Sequence, residues 1–189
     1  MSLAVGKTIL SLYDFTGNWS MPYRVNGYNV IQIDKKLTGG DVRLLQKPDM
    51  PIHGILAAPP CTVFASSGAW VKRTDSEMLD GLSMVDVVLR LVIVCEPIFW
   101  ALENPVGKLV RYLGKPKMYF HPCDYGDPYT KRTCLWGKFN EPEKKPVEPI
   151  KSCSQGSWVQ KLGGKSERTK ELRSATPMGF AWQFFKANM

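Results

Sequence analysis

Three short apolar runs near the start of the chain, TILSLYD (8–14), YNVIQID (28–34) and HGILAAP (53–59), constrain the fold more than any other feature. Each carries β-branched residues, and each stops at a polar or turn-forming group: Asp14, Asp34 and the Pro59-Pro60 pair. The connections between them, FTGNWSMPYRVNG and KKLTGGDVRLLQKPDMP, each have room for a short helical piece. Strands joined this way run parallel, because the crossover must pass over a sheet face. The expected class is α/β, a mostly parallel sheet with helices on both faces.

The later sequence extends that pattern. Thr74 and Glu77 read as a capping box. Met78, Leu79, Leu82, Val85, Leu89, Val92 and Ile93 follow at helical spacing, which predicts a helix from about 75 to 95 that stops before Pro97. IFWALENP (98–105) reads as the next strand and VGKLVRYLG (106–114) as a short helix. KMYFHPCDYG and TKRTCLWG read as two further strands, paired with one another. Residues 140–149 are rich in Pro, Glu and Lys and read as a loop, whereas 151–175 are polar and basic with little periodicity. MGFAWQFFKAN (178–188) reads as a closing helix packed on the sheet. The 189 residues suit one domain spanning 1–189, with 138–176 as a loop-rich region.

No apolar run approaches the roughly 20 residues needed to cross a bilayer, so no membrane partner is expected. The N-terminus reads as the first strand and not as a signal peptide. Five cysteines in no paired spacing fit a reducing cytoplasm. A net charge of +8 favours a polyanionic partner such as nucleic acid. His121, Cys123, Cys134 and Cys153 match no compact zinc spacing, and no metal is expected.

In open parallel sheets, ligands bind beyond the carboxyl ends of the strands. Here those ends carry Asp14, Asp34, Cys61 and Glu103-Asn104. Any one of them could be a simple turn former; four on consecutive strands point to a site. Asp34, ending the second strand, suits ribose hydroxyls. The first turn, DFTGNWS, has one glycine where a pyrophosphate-cradling loop has three. That disfavours a dinucleotide and suits a nucleoside-like cofactor such as S-adenosylmethionine.

These motifs, in this order, resemble those of the DNA cytosine-5 methyltransferases. DFTGNWS resembles their Phe-x-Gly turn, NVIQID their acidic strand end, and GDVRLL their Gly-Asp-Ile segment. APPCTVFASSG resembles the Pro-Cys catalytic motif, FWALENP the Glu-Asn motif, and YGDPYTKRT the Tyr-Gly-x-Pro segment that carries arginines into the site. The resemblance covers roughly residues 8–137. It implies a Rossmann-like, S-adenosylmethionine-dependent methyltransferase fold and methyl transfer to carbon 5 of cytosine.

What the resemblance implies for individual residues is specific. Cys61 would be the thiolate that adds to ring carbon 6, with a lowered pKa and a rigid Pro59-Pro60 approach. Glu103 would hold a proton at ring nitrogen 3, Asn104 would support the turn, and Arg132 would stabilise the ring oxygen or a phosphate. Asp14, Phe15, Gly17, Asp34, Asp41 and Pro59 would line the cofactor site. Ser66 and Ser67, in a mobile loop closing over an extruded base, would contact DNA together with Lys131, Lys165 and Arg168. The expected partner is double-stranded DNA, in a bacterial or phage-infected cytoplasm and in a restriction-modification setting.

Two departures qualify the family pattern. Only about 50 residues follow Trp136, too few for a large target-recognition region. No Gly-Asn-Ala-Val segment occurs, and SATPMGFAWQFF stands in its place. A compact, phage-like enzyme is implied. It would have relaxed sequence choice, a protein partner for specificity, or another cytosine-containing substrate; a non-catalytic DNA- or cofactor-binding role is the remaining alternative.

Overall fold

A computed structural model describes residues 6–37, 40–68, 70–152, 154, 156–162 and 166–189. Its centre is a six-stranded sheet in the order β2-β1-β3-β4-β6-β5. The strands are β1 (Thr8–Leu12), β2 (Asn29–Ile33), β3 (Ile52–Ala57), β4 (Phe99–Pro105), β5 (Met118–Phe120) and β6 (Thr133–Lys138). β1 pairs in parallel with β2 and β3, and β3 with β4. β6 enters antiparallel between β4 and β5. The first four strands expected from sequence are present within two residues at each end, and the two late strands pair as expected; β5 is much shorter than the run 117–126, because Pro122–Tyr125 forms a 3₁₀ turn, and β6 begins at Thr133.

The helices are α1 (Met21–Val25), α2 (Asp75–Cys95), α3 (Val110–Leu113), α4 (Trp158–Lys161), α5 (Glu167–Ser174) and α6 (Met178–Ala187). The capping box of α2 forms: the Glu77 amide donates to Thr74 Oγ1 at 3.2 Å, and the Thr74 amide donates to Glu77 Oε2 at 2.8 Å. The helix ends where Glu96 turns left-handed, just before Pro97. Its buried stripe is Gly81, Val85, Val88 and Leu91. Leu79 and Ile93, expected on that stripe, are 66% and 74% exposed. The backbone phase places them on the outer face, because the helix seats itself on Gly81.

The two sheet faces have separate cores. One joins Leu10, Leu12, Ile55 and Ala57 to α2. The other is aromatic: Trp19 and Tyr23 pack with Phe99, Phe120, Phe180 and Phe184, so α1 and α6 share one face. The aromatic residues of FAWQFF are therefore mainly core, as their composition suggests.

Residues 140–149 carry no helix or strand, as expected, but are tethered. The Lys145 amide donates to Asp124 O and the Val147 amide to Cys123 O, each at 2.9 Å. In contrast with the aperiodic reading of 151–175, this stretch contains α4 and α5. No helix among the described residues is long and apolar enough to cross a membrane.

Candidate active site

The carboxyl ends of β1 and β2 build one half of the site. Asp14 is buried, and its carboxylate accepts from Ser11 Oγ (3.0 Å), the Ser20 amide (3.3 Å) and Ser20 Oγ (3.1 Å). Its role is to hold the first turn closed. Gly17, at φ +70°, completes that turn by donating its amide to Asp14 O at 3.0 Å. Gln32 of β2 reaches across, donating Nε2 to Asp14 O at 2.6 Å and to Phe15 O at 3.2 Å.

Phe15 and Asp34 present open surface at this edge. The Phe15 ring is 36% exposed, with the Lys36 ammonium 5.0 Å from its centroid. One Asp34 oxygen accepts from the Lys36 amide at 2.9 Å; no bond from the other is found among the described residues. Asp41 is placed differently. Both of its oxygens are engaged by Arg43, which also pairs with Asp80. Those bonds lower the Asp41 pKa and leave it less free for a ligand than Asp34.

The ends of β3 and β4 build the other half. The Asn104 side-chain amide donates to Pro59 O at 2.8 Å, tying the Pro-Pro turn to the neighbouring strand. Cys61 follows, half-buried, and its carbonyl accepts from the amides of Phe64 and Ala65 at 2.9 Å each. Glu103 is 9% exposed. The Lys131 ammonium lies 3.9 Å from its carboxylate.

Electrostatics couple these groups. Burial, and then the Glu103 charge, push the Cys61 thiol up; Lys131 and Arg173 pull it down. The net direction is upward, opposite to the lowered thiol pKa expected from sequence, because burial outweighs the cations. Burial likewise raises the Glu103 pKa, opposed by Lys131. A neutral Glu103 can donate a hydrogen bond.

Lys131 and Arg132 diverge at the start of β6. Lys131 turns toward Glu103, whereas Arg132 is exposed, with its guanidinium 5.0 Å from the Tyr119 ring centroid. Adjacent residues of an extended segment face opposite ways, so the structure brings Lys131, and not Arg132, to the Cys61–Glu103 pair.

The segment after Cys61 is held at its start. Phe64 is fully buried. The Lys108 amide donates to Phe64 O at 2.7 Å, the Ser66 amide donates to Val106 O at 2.9 Å, and Ala65 bridges Gly107. A methyl group on Gly107 would overlap the Phe64 carbonyl, and one on Gly81 would overlap Val63; two glycines thus admit this close packing. The loop expected here to be mobile is anchored at its start by these main-chain bonds; Thr62 and the tip of the loop are exposed. Ser66 and Ser67 lie at that tip, in a short 3₁₀ turn.

The basic segment near the C-terminus divides. Trp158 packs on Tyr129, with ring centroids 5.1 Å apart. Arg168 is exposed on α5, and Lys165 lies outside the described residues. α5 is held by its acidic residues: Lys36 pairs with Glu167 at 2.9 Å and Glu171 at 2.8 Å. Asn18 Nδ2 donates to Thr176 O at 3.2 Å just beyond it. Sequence reading missed this Lys36 anchor, because neither partner carries a local motif.

Two cavities of about 250 and 310 Å³ lie at the opposite end of the sheet, lined by residues that include Ile52 and Cys95. The site is therefore placed by strand ends and convergent polar groups and not by cavity size.

No protein-family model matches the chain, and comparison with curated proteins gives no match. Among solved structures, the chain is similar to the crystal structure of a proposed DNA modification methyltransferase encoded within a prophage of E. coli. The TM-score is 0.51 at 20% identity, over 76% of this chain and 52% of that one. The chain thus spans about half the length of that protein. The likeness and the strand order together show the fold: a Rossmann-like α/β architecture shared with that structure, six strands mostly parallel with helices around them.

Proposed function

We propose that the protein transfers a methyl group from S-adenosylmethionine to carbon 5 of cytosine in DNA, using Cys61 as nucleophile. The observation that carries this reading is the convergence of a half-buried Cys61 and a buried Glu103 at adjoining strand ends, with the Lys131 ammonium 3.9 Å from the Glu103 carboxylate. The name of the prophage-encoded neighbour agrees with DNA as substrate, and so does the net charge of +8.

The residues at the first two strand ends suit the cofactor. Asp34 has a carboxylate oxygen available for a ribose hydroxyl, and Phe15 offers a partly exposed ring beside it. Asp14 and Gly17 shape the turn beneath, and Pro59 borders the methyl-donor end. When bound, S-adenosylmethionine supplies the electrophilic methyl group.

The protein's own steps are as follows. The Cys61 thiol loses its proton to a solvent base, and the thiolate adds to ring carbon 6, forming an S–C bond as the carbon 5–carbon 6 double bond opens. The displaced electron pair moves toward ring carbon 5, and Glu103 donates a proton at ring nitrogen 3 to neutralise the ring. Lys131 steadies both charges as they exchange. After carbon 5 is methylated, Glu103 takes back the nitrogen 3 proton, a solvent base removes the proton on carbon 5, the S–C bond breaks, and the thiolate is regenerated. Asn104 acts as a positioning residue through Pro59.

The test is turnover. Protein, S-adenosylmethionine and mixed-sequence duplex DNA are incubated, the DNA is digested, and 5-methyldeoxycytidine is sought by mass spectrometry. Product that vanishes in Cys61→Ala, together with covalent trapping on 5-fluorocytosine DNA, is expected. Product retained by Cys61→Ala would sink the mechanism.

The short segment between β6 and α6 favours a second reading. Among the described residues it holds only α4 and α5, so the substrate cytosine could belong to RNA or a free nucleotide. The same assay on those substrates separates the two.

A further inference from the structure

α5 differs from the other long helices in what holds it. Its residues, Glu167–Ser174, bury no side chain, and Leu172, its one large apolar residue, is 46% exposed. α2 and α6 each bury a stripe against the sheet. A helix with no buried apolar face is held by its polar contacts.

Those contacts lie at two points. Glu167 and Glu171, one turn apart, share the Lys36 ammonium at 2.9 and 2.8 Å. Just past the other end of the helix the chain is fixed: Thr176 is buried, and its carbonyl oxygen accepts from Asn18 Nδ2 at 3.2 Å. Beyond Thr176, Phe180 and Phe184 of α6 are fully buried. α5 is therefore pivoted at Thr176 and latched at Lys36.

Both points stand at the rim of the candidate cofactor site. Asn18 follows Gly17 in the first turn. Lys36 lies two residues past Asp34, caps that carboxylate with its amide, and holds its ammonium 5.0 Å from the Phe15 ring centroid. The helix thus runs along the mouth formed by Phe15, Gly17 and Asp34. The Arg173 charge pulls the Cys61 thiol down, so the last turn of α5 lies toward the nucleophile half of the site.

We infer that α5 is a hinged gate on the cofactor site: a nucleoside-like cofactor enters and leaves when Lys36 releases Glu167 and Glu171 and the helix swings about Thr176. This rests on the cofactor reading above. Because the latch is made of partly exposed charges, salt weakens it, whereas the core behind the pivot is unaffected.

The test follows association and dissociation of S-adenosylhomocysteine by stopped-flow tryptophan fluorescence, at low and high salt. Wild type is compared with Lys36→Arg, Lys36→Met and Glu167→Gln/Glu171→Gln, and circular dichroism checks that each is folded. Lys36→Met and the double variant should speed association and dissociation by the same factor, roughly two- to tenfold for two partly exposed ion pairs, and leave Kd within about twofold. Lys36→Arg should keep the wild-type rates. High salt should bring wild type to the rates of the unlatched variants and change theirs little. Rates that are equal in all four proteins would overturn the gate and leave the cofactor reading standing. So would a rise in dissociation alone, which would mean that these side chains hold the ligand directly. Wild type that binds no S-adenosylhomocysteine would remove the cofactor reading, and the gate with it.

Discussion

The Asn104 side-chain amide donates to the Pro59 carbonyl oxygen across 2.8 Å, in a fully buried setting. One bond thus joins the Glu-Asn strand end to the Pro-Pro turn that presents Cys61. Replacing Asn104 with Ala should cost about 1–3 kcal/mol, because Pro59 O is left without its donor. Activity should fall more than cofactor affinity does. Thermal unfolding and calorimetric cofactor titration check the two parts.

The pH profile of methyl transfer should be bell-shaped. The competent form needs Glu103 protonated and Cys61 ionised. Burial raises both groups, so the acidic limb should lie above the usual carboxylate range and the basic limb above the ordinary thiol value of 9.0. Lys131 lowers both. Lys131→Met should therefore move both limbs to higher pH, and Arg132→Met should leave them in place. Initial rates across pH for the three proteins decide this.

Gly107 lets the chain after β4 lie against the Phe64 carbonyl. Gly107→Ala should destabilise the fold by about 1–3 kcal/mol, as an overpacked contact does. It should also loosen the anchor at Phe64, so that hydrogen exchange at the Ser66 and Lys108 amides rises. Unchanged exchange at both would show that the anchor tolerates the methyl group.

Lys36 links the Asp34 turn to Glu167 and Glu171 of α5. These pairs are partly exposed and screened by salt. Lys36→Met should speed trypsin cleavage at Arg168 with little change in unfolding temperature. High salt should do the same to wild type. Equal cleavage rates in all conditions would mean that α5 is held by other contacts.

Much of the fold was legible because the first strands stop at polar or turn-forming residues and α2 begins at a capping box. The site was legible for the same reason, since Cys61, Glu103 and Asn104 sit where parallel strands stop. Less legible was anything set by tertiary pairing. α5 has no apolar stripe, and its helix rests on the Ser166 side chain capping the Thr169 amide and on the Lys36 anchor. The Lys131–Arg132 choice depends on strand phase. The anchor at Phe64 uses main-chain groups, which leave no side-chain signature apart from two glycines. The raised Cys61 pKa depends on burial, which spacing alone does not report.

Trp19 stands two residues beyond Gly17, yet its ring is packed by Phe180 and Phe184 from α6. The first turn is thus finished by the last helix of the described residues. During synthesis the amino-terminal strands can pair long before α6 leaves the ribosome, but the Asp14–Ser20 turn lacks its inner support until then. The packing behind the first turn would therefore arrive abruptly, once α6 is made, rather than growing with the sheet.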